Sequence, residues 1–487
     1  MGKTTIVVGS GIAGLASAIR LAKRGHTVSV FEANEYPGGK LTEIKLNDYR
    51  FDAGPSLFTL PENIEELYQL CGLQTPDYFK YKRLDSTCNY FWEDGTTLKA
   101  WTDHDKLAQE FENTLGETAK NIHGALDKSK FLYEYLAPIF MRKSIHQKRT
   151  WLGGNAFKAY GKLSKFGFNK TMHKANTLQF EQEKTVQLFN RYATYNGSDP
   201  YQTPATLNII PHLEFGIGAF FPEGGMHQIT MSLYRLAKQI GVKFYFDTPV
   251  QRIVVHKGKA KGVDTKMGFH KSDYVVSNMD VVGTYKKLLS GEKQPKKLLK
   301  QPKSSSAIIF YWGIKKKFDQ LDLHNIFFSE DYKSEFEHIF KHKSLFDDPT
   351  VYLNITSTEN PSDAPEGSMN WFTMVNAPNN SGQDWDSLIA QARESILKKL
   401  SRILKTDIES LIEVEDILDP RTIEIRTSSD TGALYGNSSN NKYAAFLRHA
   451  NYSKDIQKLY FCGGSVHPGG GIPLCLLSAK ITDELIP

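Results

Sequence analysis

The sequence predicts an α/β fold in which a Rossmann-like domain is interleaved with a second, mixed-sheet domain and with a helical, basic segment. Three observations support this prediction. A glycine-rich turn lies between a strand and a helix at the N-terminus, strand-like apolar runs occupy the middle of the chain, and a second glycine-rich stretch lies near the C-terminus. A chain of 487 residues is long enough for two or three domains.

The N-terminal unit has the pattern strand, glycine-rich turn, helix, strand. These elements are Thr4–Ser10, Gly11–Gly25 and Thr27–Ala33, with the turn at the first junction. Gly9, Gly11 and Gly14 form a G-x-G-x-x-G pattern there, which is typical of a backbone that a pyrophosphate approaches at a helix N-terminus. Glu32 lies at the end of the second strand, where a carboxylate accepts hydrogen bonds from a ribose diol. The unit therefore favours FAD or NAD over NADP.

A second glycine pair separates FAD from NAD. It lies in EANEYPGGK (Glu32–Lys40), which is followed by YRFDAGPS (Tyr49–Ser56). Taken alone, Pro37–Gly39 is also compatible with an ordinary Pro-Gly turn. An NAD site has no obvious use for this pair directly after the ribose-binding acid, so the pair favours FAD.

These two segments resemble the signature shared by FAD-dependent amine oxidases and bacterial phytoene-desaturase-type carotenoid desaturases. Three later segments, in the same order, resemble further motifs of the carotenoid family: Phe220–Ile253, Val275–Leu289 and Leu459–Lys480. The last contains HPGGGIP followed by SAK. The chain is identified as a member of this family from end to end. The resemblance implies that a saturated C–C unit of a polyene loses a hydride to FAD and a proton to a nearby acceptor, so that a C=C bond forms.

Pattern and resemblance together indicate a set of cofactor-binding residues. They are Gly9, Ser10, Gly11, Ile12, Ala13, Gly14, Glu32, Ala33, Gly38, Gly39, Lys40, Gly54, Pro55, Ser56, Val250, Gly463, Gly464, Gly471, Ile472 and Pro473. The resemblance places Val250 near the adenine. No catalytic residue and no metal site can be assigned from spacing. His467 is interpreted as a structural residue of the C-terminal loop, with a general-base role as the alternative.

The domains are expected to be discontinuous, because the motifs that resemble FAD-binding segments are far apart in the chain. We predict an FAD-binding domain from residues 1–75, 220–290 and 450–487, a substrate-binding domain from 76–134, 181–219 and 291–449, and a membrane-associating segment at 135–180. Within them we predict a helix at Met226–Gln239, strands at Val242–Phe246 and Val250–His256, a turn at 257–262, a strand at Leu459–Gly464 and a helix at Trp385–Leu404.

The positive charge of the chain is local. Residues 135–180 contain nine Lys or Arg side chains and no Asp or Glu, and the remaining chain has 51 basic against 54 acidic residues. Trp151, Phe157, Tyr160, Phe166 and Phe168 lie among these cations. A solvated loop and a nucleic-acid patch are alternatives, but the lipid-soluble substrate that the resemblance implies favours docking on a membrane surface. We therefore expect no nucleic-acid partner and a cytoplasmic protein that is peripheral on the inner face of the cell membrane.

Within the family, overall resemblance favours the branch that forms the 3,4 double bond of a 1-hydroxycarotenoid. The resemblance also implies that oxygen or a quinone reoxidises the flavin. Phytoene desaturase is the first alternative, followed by carotenoid isomerases and saturases. More remote alternatives are an amine oxidase and a non-enzymatic prenyl-binding protein of the Rab-GDP-dissociation-inhibitor type.

Overall fold

The computed structural model describes residues 2–487, and it confirms the predicted α/β fold class. The strands are β1 (Thr4–Val8), β2 (Thr27–Phe31), β3 (Thr42–Leu46), β4 (Tyr49–Ala53), β5 (Tyr81–Arg83), β6 (Ser86–Phe91), β7 (Thr97–Trp101), β8 (Phe220–Pro222), β9 (Lys243–Tyr245), β10 (Arg252–His256), β11 (Lys259–Thr265), β12 (Gly268–Lys271), β13 (Tyr274–Ser277), β14 (Ser306–Ile314), β15 (His324–Phe327), β16 (Val351–Asn354), β17 (Met369–Ala377), β18 (Ile412–Leu418) and β19 (Leu459–Phe461).

The helices connect and cover these strands. They are α1 (Ile12–Lys23), α2 (Glu62–Leu70), α3 (His104–Leu115), α4 (Ala119–Phe140), α5 (Lys148–Trp151), α6 (Gly154–Tyr160), α7 (Met172–Gln179), α8 (Glu183–Asn190), α9 (His227–Gln239), α10 (Val281–Gly283), α11 (Lys296–Leu299), α12 (Tyr332–Glu337), α13 (Trp385–Ile403), α14 (Pro420–Thr427), α15 (Ala444–Leu447) and α16 (Ile472–Leu485).

A five-stranded parallel sheet joins the two ends of the chain. Its strand order is β19-β13-β1-β2-β9, with β1 in the centre. Ile6, Val7 and Val8 of β1 are buried, as expected for a strand that is covered on both faces by other elements. The sheet therefore brings the N-terminal glycine turn beside segments that lie more than 250 residues away along the chain.

A seven-stranded mixed sheet forms the second layer of structure. Its order is β18-β14-β17-β16-β15-β6-β7, in which β15 and β6 are parallel and the other neighbours are antiparallel. All nine residues of β14 are buried. One face of this sheet packs against α13, whose Ile396 and Leu400 belong to the same apolar cluster as Trp312 and Trp371.

Several element boundaries differ from the prediction. The predicted turn at 257–262 is wrong for its last four residues, because β11 begins at Lys259 and pairs with both β10 and β12. The predicted strand at 250–256 begins only at Arg252. The division at 134/135 falls inside α4, because Leu132, Leu136 and Ile139 continue one buried helical face across it.

The β3–β4 hairpin also connects the two predicted domains. Its residues Tyr49 and Phe51 pack in one cluster with Ile309 and Tyr311 of the seven-stranded sheet, although the sequence placed the hairpin with the FAD-binding residues. The apolar pattern of a hairpin shows that one of its faces is buried, but it does not show which surface of the protein buries that face.

The basic segment at 135–180 is helical in part, and its aromatic residues do not share one environment. Phe166 is fully buried and packs against Phe131 and Tyr135 of α4, so it is not exposed for contact with a membrane surface. Trp151 is half-buried and donates its indole N–H to the Ile145 carbonyl at 2.8 Å. Of the aromatic residues named above, three are exposed: Phe157, Tyr160 and Phe168.

Candidate functional site

One cavity of about 890 Å³ lies between the two sheets. It begins at the carboxyl ends of the parallel strands, where open α/β sheets bind their ligands. From there it follows the seven-stranded sheet and reaches Phe168 and Phe446, whose side chains are exposed on the surface. The cavity therefore connects the predicted cofactor site with the basic segment.

The glycine turn forms the first wall of this cavity. Gly9 has a φ of 94° and follows β1, and Gly11 precedes the first residue of α1. A Cβ at Gly14 would collide with the Gly9 carbonyl oxygen, so this glycine allows α1 to pack closely on the turn. Gly9, Gly11, Ile12 and Ala13 line the cavity, whereas Gly14 does not. The N-terminal N–H groups of α1 face an anion-binding position of the kind that a pyrophosphate occupies.

Glu32 is held rigidly on the same wall. Its Oε2 accepts hydrogen bonds from the Ser10 backbone N–H at 2.7 Å and from Ser10 Oγ at 2.8 Å. Its Oε1 accepts from the Asn34 N–H at 3.0 Å. Ser10 does not line the cavity, so its role is to orient the carboxylate, while Glu32, Ala33 and Val250 do line it. A fixed carboxylate beside the glycine turn fits a ribose diol.

The second glycine pair closes over the first turn. The Gly38 N–H donates to the Ser10 carbonyl at 3.0 Å, and Gly38, Gly39 and Lys40 all line the cavity. Lys40 Nζ donates to the carbonyl oxygens of Ala433 and Leu434, at 3.2 and 2.8 Å. Burial lowers the pKa of Lys40, and the Asp280 carboxylate opposes this effect. Lys40 therefore ties the N-terminal site to a distant loop.

The remaining predicted residues form the other walls. Gly54, Pro55 and Ser56 line the cavity beyond β4, and the C-terminal residues Gly463, Gly464, Gly471, Ile472 and Pro473 line it where α16 begins. A second helix N-terminus thus faces the cavity, because Gly471 immediately precedes α16.

His467 fits the structural interpretation. Its Nε2 lies 2.8 Å from the Lys143 carbonyl oxygen, and its own carbonyl accepts hydrogen bonds from Asn451 and Ser478. Burial lowers its pKa to about 4, so the ring is neutral at pH 7. The imidazole ties the C-terminal loop to the basic segment.

The cavity also has many lining residues that were absent from the predicted set, and four of them lie near the glycine-rich walls: Asn278, Asp280, Tyr435 and Arg448. Asn278 and Asp280 follow β13, and the rule that ligands bind at the carboxyl ends of parallel strands could have identified them. Nothing in the local sequence marks Tyr435 or Arg448. Arg448 is 4% exposed, and its guanidinium donates to the carbonyls of Tyr435, Gly464 and Asn437 and to Asn196 Oδ1, each at 3.1 Å.

The residues on the first half of the cavity fit FAD. Bare backbone at a helix N-terminus suits the pyrophosphate, a fixed carboxylate suits the ribose, and the cavity continues past Ser56 to the second helix N-terminus. A Cβ at Gly11 would lie 2.7 Å from Asn278 Oδ1, so a side chain at this position would force Asn278 to move.

Comparison with known proteins gives the same answer. The model of the family "Flavin containing amine oxidoreductase" matches residues 12–482. A 1-hydroxycarotenoid 3,4-desaturase of Flavobacterium sp. (strain P99-3) is 53% identical over 485 residues, which cover 100% of this chain and 99% of the relative. A phytoene desaturase of Fusarium fujikuroi is 30% identical over 514 residues, with 99% of this chain and 89% of the relative covered.

Solved structures show the same fold. Cyclohexylamine oxidase from Brevibacterium oxydans IH-35A superposes with a TM-score of 0.64 at 15% identity, and the match covers 99% of each chain. The predicted family resemblance, the FAD cofactor and the enzyme class are confirmed by these findings. The chain therefore belongs to the flavin containing amine oxidoreductase family, and it is an FAD-dependent oxidoreductase.

Proposed function

We propose that this protein is a 1-hydroxycarotenoid 3,4-desaturase. The observation that carries the proposal is the 53% identity to a desaturase of that name over the whole of both chains. The second half of the cavity supports it, because Ile309, Ile326, Phe372 and Met374 present an apolar wall that suits a polyene.

The chemistry divides between cofactor and protein. When bound, FAD supplies the hydride acceptor for desaturation, and we propose oxygen or a membrane quinone as the final electron acceptor. The chain holds the cofactor between its two helix N-termini, orients the polyene along the seven-stranded sheet and excludes water from the reacting bond. These roles need binding and orientation and do not require a nucleophile.

The function is tested by expressing the protein in cells that accumulate a 1-hydroxycarotene, neurosporene or phytoene. We expect the 1-hydroxycarotene to be converted much more efficiently than neurosporene or phytoene, to a product with one additional double bond at C3–C4. Pigments are identified by chromatography and absorption spectra. Efficient conversion of phytoene, or isomerisation or saturation without a new double bond, would contradict the proposal.

We also propose that the basic segment docks the protein on the inner face of the membrane, so that it is cytoplasmic and peripheral. Support comes from exposed apolar side chains that lie among cations, all of them exposed except the half-buried Lys162: Leu152, Phe157, Tyr160, Leu163 and Phe168. Phe446, from a distant part of the chain, stacks on Trp151 with 5.8 Å between the ring centroids and extends this surface. Because the cavity reaches Phe168 and Phe446, a lipid-soluble substrate would enter from the bilayer. No helix among residues 2–487 is long and apolar enough to span a membrane.

The docking proposal predicts the behaviour of a triple variant, Lys158, Lys162 and Lys165→Gln. Each lysine near an anionic surface contributes about 1 kcal/mol, so the variant should bind anionic liposomes about 100-fold more weakly at low salt. Flavin content should not change. Co-sedimentation with vesicles of anionic and of neutral lipid measures the effect.

The matched control changes the same charge elsewhere. Lys257, Lys259 and Lys266 are exposed on or beside the β10–β12 sheet, and their replacement by Gln should leave liposome binding unchanged. Equal losses in both triple variants would show that net charge, and not this surface, controls binding.

A further inference from the structure

The cavity-facing side of the seven-stranded sheet consists of two rows of residues that are paired across the strands. In one row Ile326 pairs with Tyr352, Tyr352 with Met374, and Met374 with Ile309. In the next row, His324 pairs with Asn354, Asn354 with Phe372, and Phe372 with Tyr311. His324 is thus an imidazole in a mainly apolar and aromatic wall, and it is 4% exposed.

A chain of hydrogen bonds sets the orientation and tautomer of this ring. Asn354 Nδ2 donates to the Leu323 carbonyl at 2.9 Å and lies 3.2 Å from His324 Nδ1. The Asn354 amide has two N–H bonds, and the carbonyl accepts only one of them. Because the second N–H faces Nδ1, this nitrogen is the acceptor, and Nε2 carries the hydrogen. The Tyr352 hydroxyl also lies 2.7 Å from Nδ1.

The donor at Nε2 has no protein partner. Among the described residues, no group forms a hydrogen bond with His324 Nε2. Burial lowers the pKa of His324 to about 4, so the neutral ring keeps this single N–H at pH 7. A buried donor without a partner is unfavourable, and a ligand oxygen that pairs with it gains affinity over one that cannot.

The chemistry of the proposed substrate matches this arrangement. A 1-hydroxycarotenoid is a hydrocarbon with one hydroxyl, and C1 lies only two bonds from C3, so the group that binds the hydroxyl must lie near the flavin. The hydrogen-bonded chain extends in that direction, because Tyr352 is 2.7 Å from Ser56 Oγ and Ser56 belongs to the predicted FAD-binding residues.

We propose that His324 is a specificity-determining residue that donates a hydrogen bond from Nε2 to the 1-hydroxyl of the substrate. Tyr352 and Ser56 are positioning residues that hold the ring. The inference rests on the proposed function and deepens it. Arg191 and Glu214 also border the cavity, but they form an ion pair with each other at 3.4 Å.

The test compares kcat/KM of the purified holoenzyme for a 1-hydroxycarotene and for the hydrocarbon of the same length without the hydroxyl. We expect His324→Leu to lose about 10- to 100-fold for the hydroxylated substrate and to change little for the hydrocarbon, since the lost interaction is specific to the hydroxyl. The preference is the ratio of kcat/KM for the hydroxylated substrate to kcat/KM for the hydrocarbon. His324→Gln keeps an N–H donor, so its ratio should be at least about tenfold higher than that of His324→Leu.

Met374→Leu is the matched control, because it changes the same wall without a polar group. It should leave the ratio of the two kcat/KM values unchanged, whatever it does to each value. Flavin content per chain is measured for every variant. The inference would be overturned if flavin-loaded His324→Leu kept the preference for the hydroxylated substrate. That result is expected if Nε2 faces the neighbouring cleft beside Asp322. Equal losses of the preference in His324→Leu and His324→Gln would also overturn it.

Failure of the proposed function would have a different signature. In that case the wild-type holoenzyme would not desaturate the 1-hydroxycarotene at all, which would overturn both proposals. If His324→Leu does not fold, the preference measured for His324→Gln decides: a wild-type-like ratio supports the inference, and a ratio near one overturns it.

Discussion

Replacement of Gly14 by Ala is expected to weaken FAD binding about tenfold or more, although Gly14 does not line the cavity. The added Cβ would collide with the Gly9 carbonyl oxygen and lie 2.9 Å from Asn278 Oδ1. Backbone cannot move aside as a flexible side chain would, so α1 must shift away from the glycine turn. Overpacking of this kind costs about 1–3 kcal/mol or more, which corresponds to about a tenfold or larger loss of flavin affinity if the site bears the strain.

The measurement is the ratio of flavin to protein after gel filtration, followed by titration of the apoprotein with FAD. Gly291→Ala is the matched control, because no atom lies within 4 Å of a Cβ at that position. It should bind FAD like the wild type. Full flavin occupancy in Gly14→Ala would show that the helix and the turn are not as closely packed as described.

Arg448→Met is expected to unfold the C-terminal wall of the site. Methionine keeps the apolar stem but removes all four hydrogen bonds, and the acceptors on Tyr435, Gly464, Asn437 and Asn196 lose a charged donor. A hydrogen bond to a charged group contributes about 1.5–3 kcal/mol. Removal of a buried cation offsets part of this loss. We expect a net destabilisation of about 2–4 kcal/mol, with loss of FAD.

Thermal unfolding with and without added FAD measures this effect. Arg448→Lys is the informative companion, since its single ammonium cannot reproduce the planar fork of the guanidinium and should rescue stability only in part. Burial lowers the pKa of Arg448 to about 10, so the side chain remains charged at neutral pH. Wild-type stability in Arg448→Met would mean that the carbonyl cluster is held by other contacts.

Both predictions concern residues that act through the packing of other groups. Gly14 acts by allowing α1 to approach the turn, and Arg448 acts by joining loops that approach each other only in the folded chain. A substitution at either position should therefore lower thermal stability together with flavin content. His324→Leu should behave differently, because the role proposed for this residue concerns the substrate and not the cofactor.

Local chemistry made much of the site predictable. The glycine pattern with Glu32 requires only a strand, a turn, a helix and a strand in succession, and all of these occur within the first 33 residues. The C-terminal glycines were predictable in the same way, and the structure places them at the turn before α16, which begins immediately after Gly471. Boundaries were harder to predict: β11 begins with Lys, Ala, Lys and Gly, which have low strand propensity and resembled a turn, yet pairing with two neighbours overrides that preference.

The sequence by itself determined the fold class, the family and the glycine-rich segments that line the cavity, because each of those follows from a short segment with its own physical pattern. Only the tertiary structure decided that Phe166 is buried, that Arg448 holds the C-terminal wall and that His324 has an unpaired donor in an apolar wall. These properties arise from contacts between strands and loops that are hundreds of residues apart. Whether a side chain is buried or hydrogen-bonded depends on such contacts, so it cannot be read from any single segment of the sequence.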